Sequence, residues 1–114
     1  MDQGKIPDQP LGFIQDCIKR RRIRWTYHAT LRLQQRVLAV ETVLGSVDTF
    51  EVIEQYPADK YLPSYLVRAV DPNGRVFHLQ AAVDVQDENI RIVTTYIPDP
   101  GEWDADLRIR RRKP

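Results

Sequence analysis

Apolar residues in the first half of the chain recur at the three- and four-residue spacing of a helix. Residues 11–22 place their apolar side chains on one helical face, and Pro10 directly before them suits a first helical turn. The side chains on this face are Phe13, Ile14, Cys17 and Ile18. A second helix is predicted over residues 28–36 with Thr26 as its N-cap, and a third over residues 40–46.

After Asp48 the apolar spacing changes to the alternation that is typical of extended strands. Four strands are predicted, over residues 51–56, 65–70, 76–84 and 90–97. Pro57 ends the first of them and Pro98 the last, because proline cannot donate to a strand ladder. The predicted fold class is therefore α+β, with two or three N-terminal helices packed on one face of a four-stranded antiparallel sheet.

The 114 residues suffice for one domain with a single core. Residues 1–9 are polar and without periodicity, so we predict a flexible leader there, followed by a single domain over residues 10–106. Residues 107–114 are predicted to form a basic C-terminal tail. No apolar run approaches the roughly 20 residues of a membrane helix, and no signal pattern opens the chain, so we predict a cytoplasmic protein with no membrane contact.

The turn at residues 71–74, Asp-Pro-Asn-Gly, predicts the register of the central hairpin. A type I turn with Gly74 in a bulge pairs Arg68 with His78 and leaves Gln80 on the same face. The opposite face is then apolar and carries Tyr65, Val67, Ala69, Phe77, Leu79, Ala81 and Val83. A two-residue loop would instead place Arg68 among apolar side chains, where its charge has no partner, so we favour the first register.

The polar face of this hairpin offers residue types that metal-independent RNA cleavage needs. The last strand adds to it either Thr95 or the pair Thr94 and Tyr96. Cleavage requires a base for the ribose 2′-hydroxyl, an acid for the leaving 5′-oxygen and a cation for the phosphate. Histidine suits proton transfer near neutral pH, and arginine binds phosphate through two parallel hydrogen bonds. The alternative for His78 is a structural strand histidine that is hydrogen-bonded to Tyr96.

Basic residues are clustered although the net charge is only +1. In the second helix His28, Arg32 and Arg36 recur every four residues and form a cationic ladder along one face. The same spacing is also that of the solvated face of an amphipathic helix. Two further clusters lie at residues 19–24 and 108–113, and we predict phosphate contact for the first of these.

Other kinds of functional site are not indicated. With one cysteine, two histidines and no glycine-rich phosphate loop, we predict neither a bound metal nor a cofactor. Trp103 follows two prolines and is flanked by acidic residues. It is predicted to anchor the C-terminal segment by packing, and the alternative is a platform on which a base stacks.

Four blocks of this sequence resemble a family of small prokaryotic proteins that contain a domain of unknown function. They are the His-x3-Arg-x3-Arg helix at residues 28–36, Val-Ile-Glu-Gln-Tyr-Pro at 52–57, Arg-Val-Phe-His-Leu at 75–79, and Tyr-x-Pro-Asp-x3-Trp at 96–103. The family is in turn distantly similar to toxins of the RelE and MqsR type, which are mRNA interferases that pair with an antitoxin. One departure is that Arg36 is followed by Val37 where the family has glycine, so we expect a different turn after the helix.

The resemblance implies a RelE-like fold whose sheet has one face concave and open to RNA. Our first hypothesis is therefore the toxin of a toxin–antitoxin pair, a metal-independent endoribonuclease acting on mRNA, with an antitoxin and RNA as its partners. The expected catalytic residues are His78, Tyr96 and Arg68, and the expected substrate-binding residues are His28, Arg32, Arg36 and Gln80. The second hypothesis is a non-catalytic module that binds protein or nucleic acid, which suits the near-neutral charge. A small-molecule site between helix and sheet is a third.

Overall fold

A computed structural model of the chain describes residues 6–34 and 39–111, with the side chains of residues 32–34 excepted. The described part is an α+β fold with three α-helices and a five-stranded mixed sheet. The helices are α1 Pro10–Lys19, α2 Tyr27–Gln34 and α3 Val40–Gly45, followed by a 3₁₀ turn at Val47–Thr49. The strands are β1 Ile23–Trp25, β2 Glu51–Tyr56, β3 Ser64–Val70, β4 Val76–Asp84 and β5 Asn89–Tyr96.

The sheet has the order β1-β5-β4-β3-β2, in which β2 to β5 form an antiparallel meander and β1 runs parallel to β5. The prediction of four antiparallel strands is therefore wrong at this edge, because it assigned no strand to residues 23–25. Three residues are too few to display strand alternation. They form a strand because they pair with the free edge of β5. In this pairing, Ile90 N–H donates to Arg22 O (3.0 Å).

The helices pack on one face of the sheet, and the side chains on that face are those that the hairpin register predicts. Tyr65, Val67, Ala69, Phe77, Leu79, Ala81 and Val83 are each at most 1% exposed. Thr26 caps α2 as predicted, because its Oγ1 accepts from the backbone N–H of Ala29 (3.2 Å). Helix α1 ends at Lys19, before the predicted residue 22, because Arg21 has φ +60° and turns the chain into β1.

The predicted register of the hairpin between β3 and β4 is confirmed. Gly74 has φ +83° and donates to Asp71 O (2.9 Å), and Asp71 N–H donates to Arg75 O (2.9 Å). Arg68 is the register partner of His78. The turn therefore places both side chains on one face of the sheet, and the helices cover the opposite, apolar face.

The chain ends extend beyond the described residues. Of the predicted leader, residues 1–5 lie outside them and Pro7 is buried. Residues 107–111, predicted to begin a basic tail, run across the sheet, and residues 112–114 lie outside the described part. Within the described ranges, no helix has the length and the run of apolar residues that crossing a bilayer requires.

Candidate functional site

The sheet face turned away from the helices, here called the outer face, is polar in its centre. Its central polar side chains are Arg68, His78, Gln80, Thr94 and Tyr96, and the apolar Leu66 lies beside Gln80. The last strand contributes the pair Thr94 and Tyr96, because β5 pairs Tyr96 with His78 and Thr94 with Gln80. A bulge at Gln80 and Ala81 shifts the register of β5, so Thr95 lies on the helix side opposite Leu79.

The outer face is partly covered by residues 99–111, here called the strap. Its anchor is Trp103, which is 1% exposed and packs edge-on against His78 with ring centroids 4.6 Å apart. Packing, not base stacking, is thus the role of Trp103 in this structure. His78 is 0% exposed beneath the strap, so the expectation of an open concave face is wrong for this half of the sheet.

Both ring nitrogens of His78 are hydrogen-bonded within the protein. Nε2 lies 2.8 Å from Leu107 O, and because a carbonyl oxygen only accepts, Nε2 carries the proton. Nδ1 then accepts from Tyr96 Oη at 3.2 Å. Burial lowers the pKa of His78 and raises the pKa of Tyr96. At neutral pH the two form a neutral pair with a defined proton direction, from Tyr96 to His78.

Arg68 meets the strap next to His78. Its Nε donates to Asp106 O at 2.9 Å, while His78 Nε2 donates to Leu107 O. Two donors that face each other across β3 and β4 therefore bind two successive carbonyl oxygens of the strap. Leu107 has φ +60°, a left-handed conformation that costs on the order of 1 kcal/mol for a residue with a side chain. The strap adopts this conformation at the residue that binds His78.

Ion pairs attach the end of the strap to β2. Arg108 Nε lies 2.8 Å from Glu51 Oε2, and Arg110 Nε lies 2.8 Å from Glu54 Oε2. The hydrogen bond from Arg108 holds the pKa of Glu51 below its usual value. Burial alone would raise the pKa of Glu54, but hydrogen bonds from Arg110 and Tyr56 outweigh it and lower that pKa. These arginines of the predicted basic tail are thus paired with acids.

The remaining half of the outer face is open. There Gln80 Nε2 donates to Ser64 Oγ (3.1 Å), and Ser64 Oγ donates to Asp59 Oδ2 (2.5 Å). Between this chain of hydrogen bonds and β5 lies a groove of about 290 Å³. Its lining includes Thr26, Tyr61, Ser64, Gln80, Arg91 and Val93. Of the residues predicted for RNA chemistry, only Gln80 borders this groove.

The predicted cationic ladder of α2 is described only at its start. His28 is exposed and lies in the first turn of the helix. Arg32 lies within α2, but its side chain is not among those described, and Arg36 and Val37 lie outside the described residues. Of the three ladder side chains, only that of His28 therefore lies within the described part of the chain.

In the first basic cluster, most cations are bound within the protein. Arg22 donates to Asp87 O (2.7 Å) and Glu88 O (3.0 Å), and Lys19 pairs with Asp48 at 3.2 Å. These interactions occupy side chains for which we predicted phosphate contact. Arg24 differs, because it lies on the outer face in register with Arg91.

Arg91 is a residue that the sequence reasoning missed, whereas Arg24 was predicted as one member of the basic cluster at residues 19–24. Both are exposed, and neither has an ion-pair partner in the described part of the chain. The signal was present, since each arginine stands between two apolar residues, in Ile-Arg-Trp and Ile-Arg-Ile. Such a pattern predicts an arginine on the open face of a half-buried strand.

Neither a metal centre nor a reactive thiol is apparent in the parts described. In residues 6–34 and 39–111, no three His, Cys, Asp or Glu side chains are grouped closely enough to hold a metal ion. Cys17 is buried in the helix layer, and this burial raises the pKa of its thiol. A raised pKa keeps the thiol protonated and unreactive at neutral pH.

Comparison with known proteins gives one match. A family model described as Domain of unknown function (DUF4258) matches residues 25–97, which is more than half of the chain and includes β2 to β5 completely but only the last residue of β1. The strap lies beyond the matched residues. Neither the curated proteins nor the solved structures include a significant match to this chain.

Proposed function

The chain belongs to the DUF4258 family, and we propose that this member is a metal-independent endoribonuclease, the toxin of a toxin–antitoxin pair, with its catalytic site under the strap. The observation that carries the proposal is the pair of donors, Arg68 Nε and His78 Nε2, bound to successive carbonyl oxygens of Asp106 and Leu107. Two adjacent acceptor oxygens are also what a phosphodiester presents. Displacing the strap would free both donors for a phosphate.

The hydrogen bond between Tyr96 and His78 supports a proton relay for cleavage. The ribose 2′-oxygen attacks phosphorus while its proton passes to Tyr96 Oη. The phenolic proton moves to His78 Nδ1, and the proton on Nε2 passes to the departing 5′-oxygen. The P–O5′ bond breaks, which leaves a 2′,3′-cyclic phosphate and a 5′-hydroxyl. Arg68 stabilises the negative charge that accumulates on the phosphate oxygens.

In this proposal the strap is a cover that RNA must displace. Its ion pairs to β2 are partly solvent-accessible, so they add less to holding it closed than the packing of Trp103 against His78 does. A RelE-like fold and an antitoxin partner are part of the same proposal. They are supported by the resemblance of the sequence motifs and by the order of elements, with a meander of four strands after the helices.

The experiment is cleavage of a long unstructured RNA by the full chain in EDTA, with analysis of the new ends. We expect cyclic phosphate ends from wild type and faster cleavage by the double variant Arg108→Ala/Arg110→Ala, in which the strap is held more weakly. Tyr96→Phe keeps the ring but removes the relayed proton, so it should slow cleavage by about 100-fold or more. Tyr65→Phe, which removes a hydroxyl from the helix side of the same sheet, is the matched control and should cleave like wild type.

Two results would contradict the ribonuclease. One is the absence of cleavage by folded wild-type protein and by the double variant alike. The other is equal cleavage by Tyr96→Phe and Tyr65→Phe.

A second candidate function is a non-catalytic module that binds nucleic acid. It is favoured by the complete burial of His78 and by the bonding of both its ring nitrogens, which is typical of a structural histidine. In that case RNA binding should weaken steeply with added salt, and no strand should be cut under any condition.

A further inference from the structure

We propose that the open half of the outer face is a nucleotide-binding site, with the phosphate held by Arg91 and Arg24 and the base in the adjoining groove beside Tyr61. The proposal does not depend on ribonuclease activity or on displacement of the strap. It rests on side chains that are already accessible in the closed conformation.

The first observation is an unbalanced pair of cations. Arg24 and Arg91 are register partners on the neighbouring strands β1 and β5, and both side chains leave the sheet on its outer face. Like charges placed side by side on a sheet repel each other, so the pairing is unfavourable unless an anion joins them. Two adjacent guanidinium groups suit a phosphate, whose oxygens can accept several parallel N–H bonds.

The second observation is the groove that begins at Arg91. Its volume of about 290 Å³ is at the lower end of the range for small-molecule sites, which suits one nucleotide and not a large cofactor. The floor is formed by strand residues, including Val93 and the stem of Gln80, and Thr26 closes one side. A flat apolar base can therefore lie on the floor while its phosphate stays at the charged rim.

The third observation is an exposed aromatic residue at the opposite wall. Tyr61 is 74% exposed, and Lys60 Nζ lies 5.3 Å from the centre of its ring. An exposed tyrosine is a surface on which a nucleobase can stack. The loop between β2 and β3 thus supplies the aromatic surface that the β5 side of the groove lacks.

The charges around the groove define the orientation of the ligand. Asp59 is the acidic residue in its lining, and Ser64 Oγ already donates a hydrogen bond to it. This carboxylate lies with Ser64 and Gln80, so it disfavours a phosphate at that end. The phosphate is therefore assigned to the Arg91 end of the groove, where Arg24 lies on the neighbouring strand, and the base to the part of the groove near Tyr61.

The test is calorimetric titration of the full chain with 5′-AMP and with inorganic phosphate, and an anisotropy titration with a ten-nucleotide single-stranded RNA. Stacking should make AMP bind at least about tenfold more tightly than phosphate alone. Arg91→Ala should weaken AMP binding about tenfold by removing charge-assisted hydrogen bonds, and Tyr61→Ala should remove the advantage of AMP over phosphate. AMP contains no internucleotide bond, so this result is independent of any cleavage.

Arg20→Ala is the matched control, because it removes an exposed arginine at the C-cap of α1, away from the groove. It should leave AMP affinity unchanged. Binding of the RNA but not of AMP, with the same dependence on Arg91 and Tyr61, would identify the ligand as a nucleotide within a strand. Absence of binding by both probes, or equal effects of Arg91→Ala and Arg20→Ala, would overturn the proposal.

Discussion

Arg68 and His78 face each other across two central strands, and their side chains bind successive carbonyl oxygens of the strap. This relationship joins the register of a local hairpin to a segment about 30 residues further along the chain. Because the strap buries His78, the protonation of His78 reports whether the strap is in place.

Stability should depend on pH through His78. Its pKa is lowered by burial, so between the ordinary histidine pKa of about 6.5 and the lower folded value the unfolded chain binds a proton that the folded protein does not. The free energy of unfolding should therefore be highest above pH 6.5 and fall as the pH decreases below it. Urea unfolding at a series of pH values between 7.5 and 5 measures this.

His78→Asn should flatten that profile, because the titrating group is removed. His28→Gln is the control, since His28 is exposed on α2, and it should retain the wild-type profile. The carboxylates of Glu51 and Glu54 have lowered pKa values, so their contribution disappears only in more acidic solution. A profile that is the same with and without His78 would contradict the link between the protonation of His78 and stability.

Removing the strap anchor should be costly. Trp103→Ala deletes a ring that is 1% exposed, and the expected loss is about 3 kcal/mol in the free energy of unfolding. Tyr27→Ala removes an exposed aromatic ring from α2 and should change stability by less than about 0.5 kcal/mol. Urea denaturation measures both variants. If they lost similar stability, Trp103 would not be an anchor.

The turn between β3 and β4 should not tolerate a side chain at its glycine. Gly74 has φ +83°, so Gly74→Ala should cost about 1–2 kcal/mol although the space around it is open. Gly45 ends α3 with an ordinary φ and no atom within 4 Å of an added Cβ, so Gly45→Ala should be neutral or stabilising. Thermal unfolding of the two alanine variants measures the cost of backbone strain at residue 74 and the gain from helix propensity at residue 45.

The cap of α2 should contribute measurable stability. Thr26 Oγ1 accepts from Ala29 N–H and donates to Val93 O (2.9 Å), so it connects the helix start to β5. Thr26→Ala should lower the free energy of unfolding by about 1 kcal/mol, and Thr26→Ser, which keeps the hydroxyl, should lose less. Equal losses from the two substitutions would indicate that the methyl group, not the cap, matters.

Local chemistry was sufficient for much of this fold. Pro72 and Gly74 determine the turn within four residues, and the turn determines which side chains of β3 and β4 share a face. The three helices follow from apolar spacing and from Thr26 in the same way. The sequence left open whether the last strand places Thr95 or the pair Thr94 and Tyr96 on the outer face. The answer depends on a bulge where β4 pairs with β5.

The sequence by itself thus determined the α+β class, the central hairpin and the polar set on its outer face, because each depends on neighbours a few residues apart. Only the tertiary structure decided that β1 joins β5, that the strap covers His78, and that Arg24 and Arg91 lie side by side. These contacts join segments separated by tens of residues. No local periodicity encodes them, since they form where a free strand edge, a buried ring and unpaired hydrogen-bonding groups find partners from elsewhere in the chain.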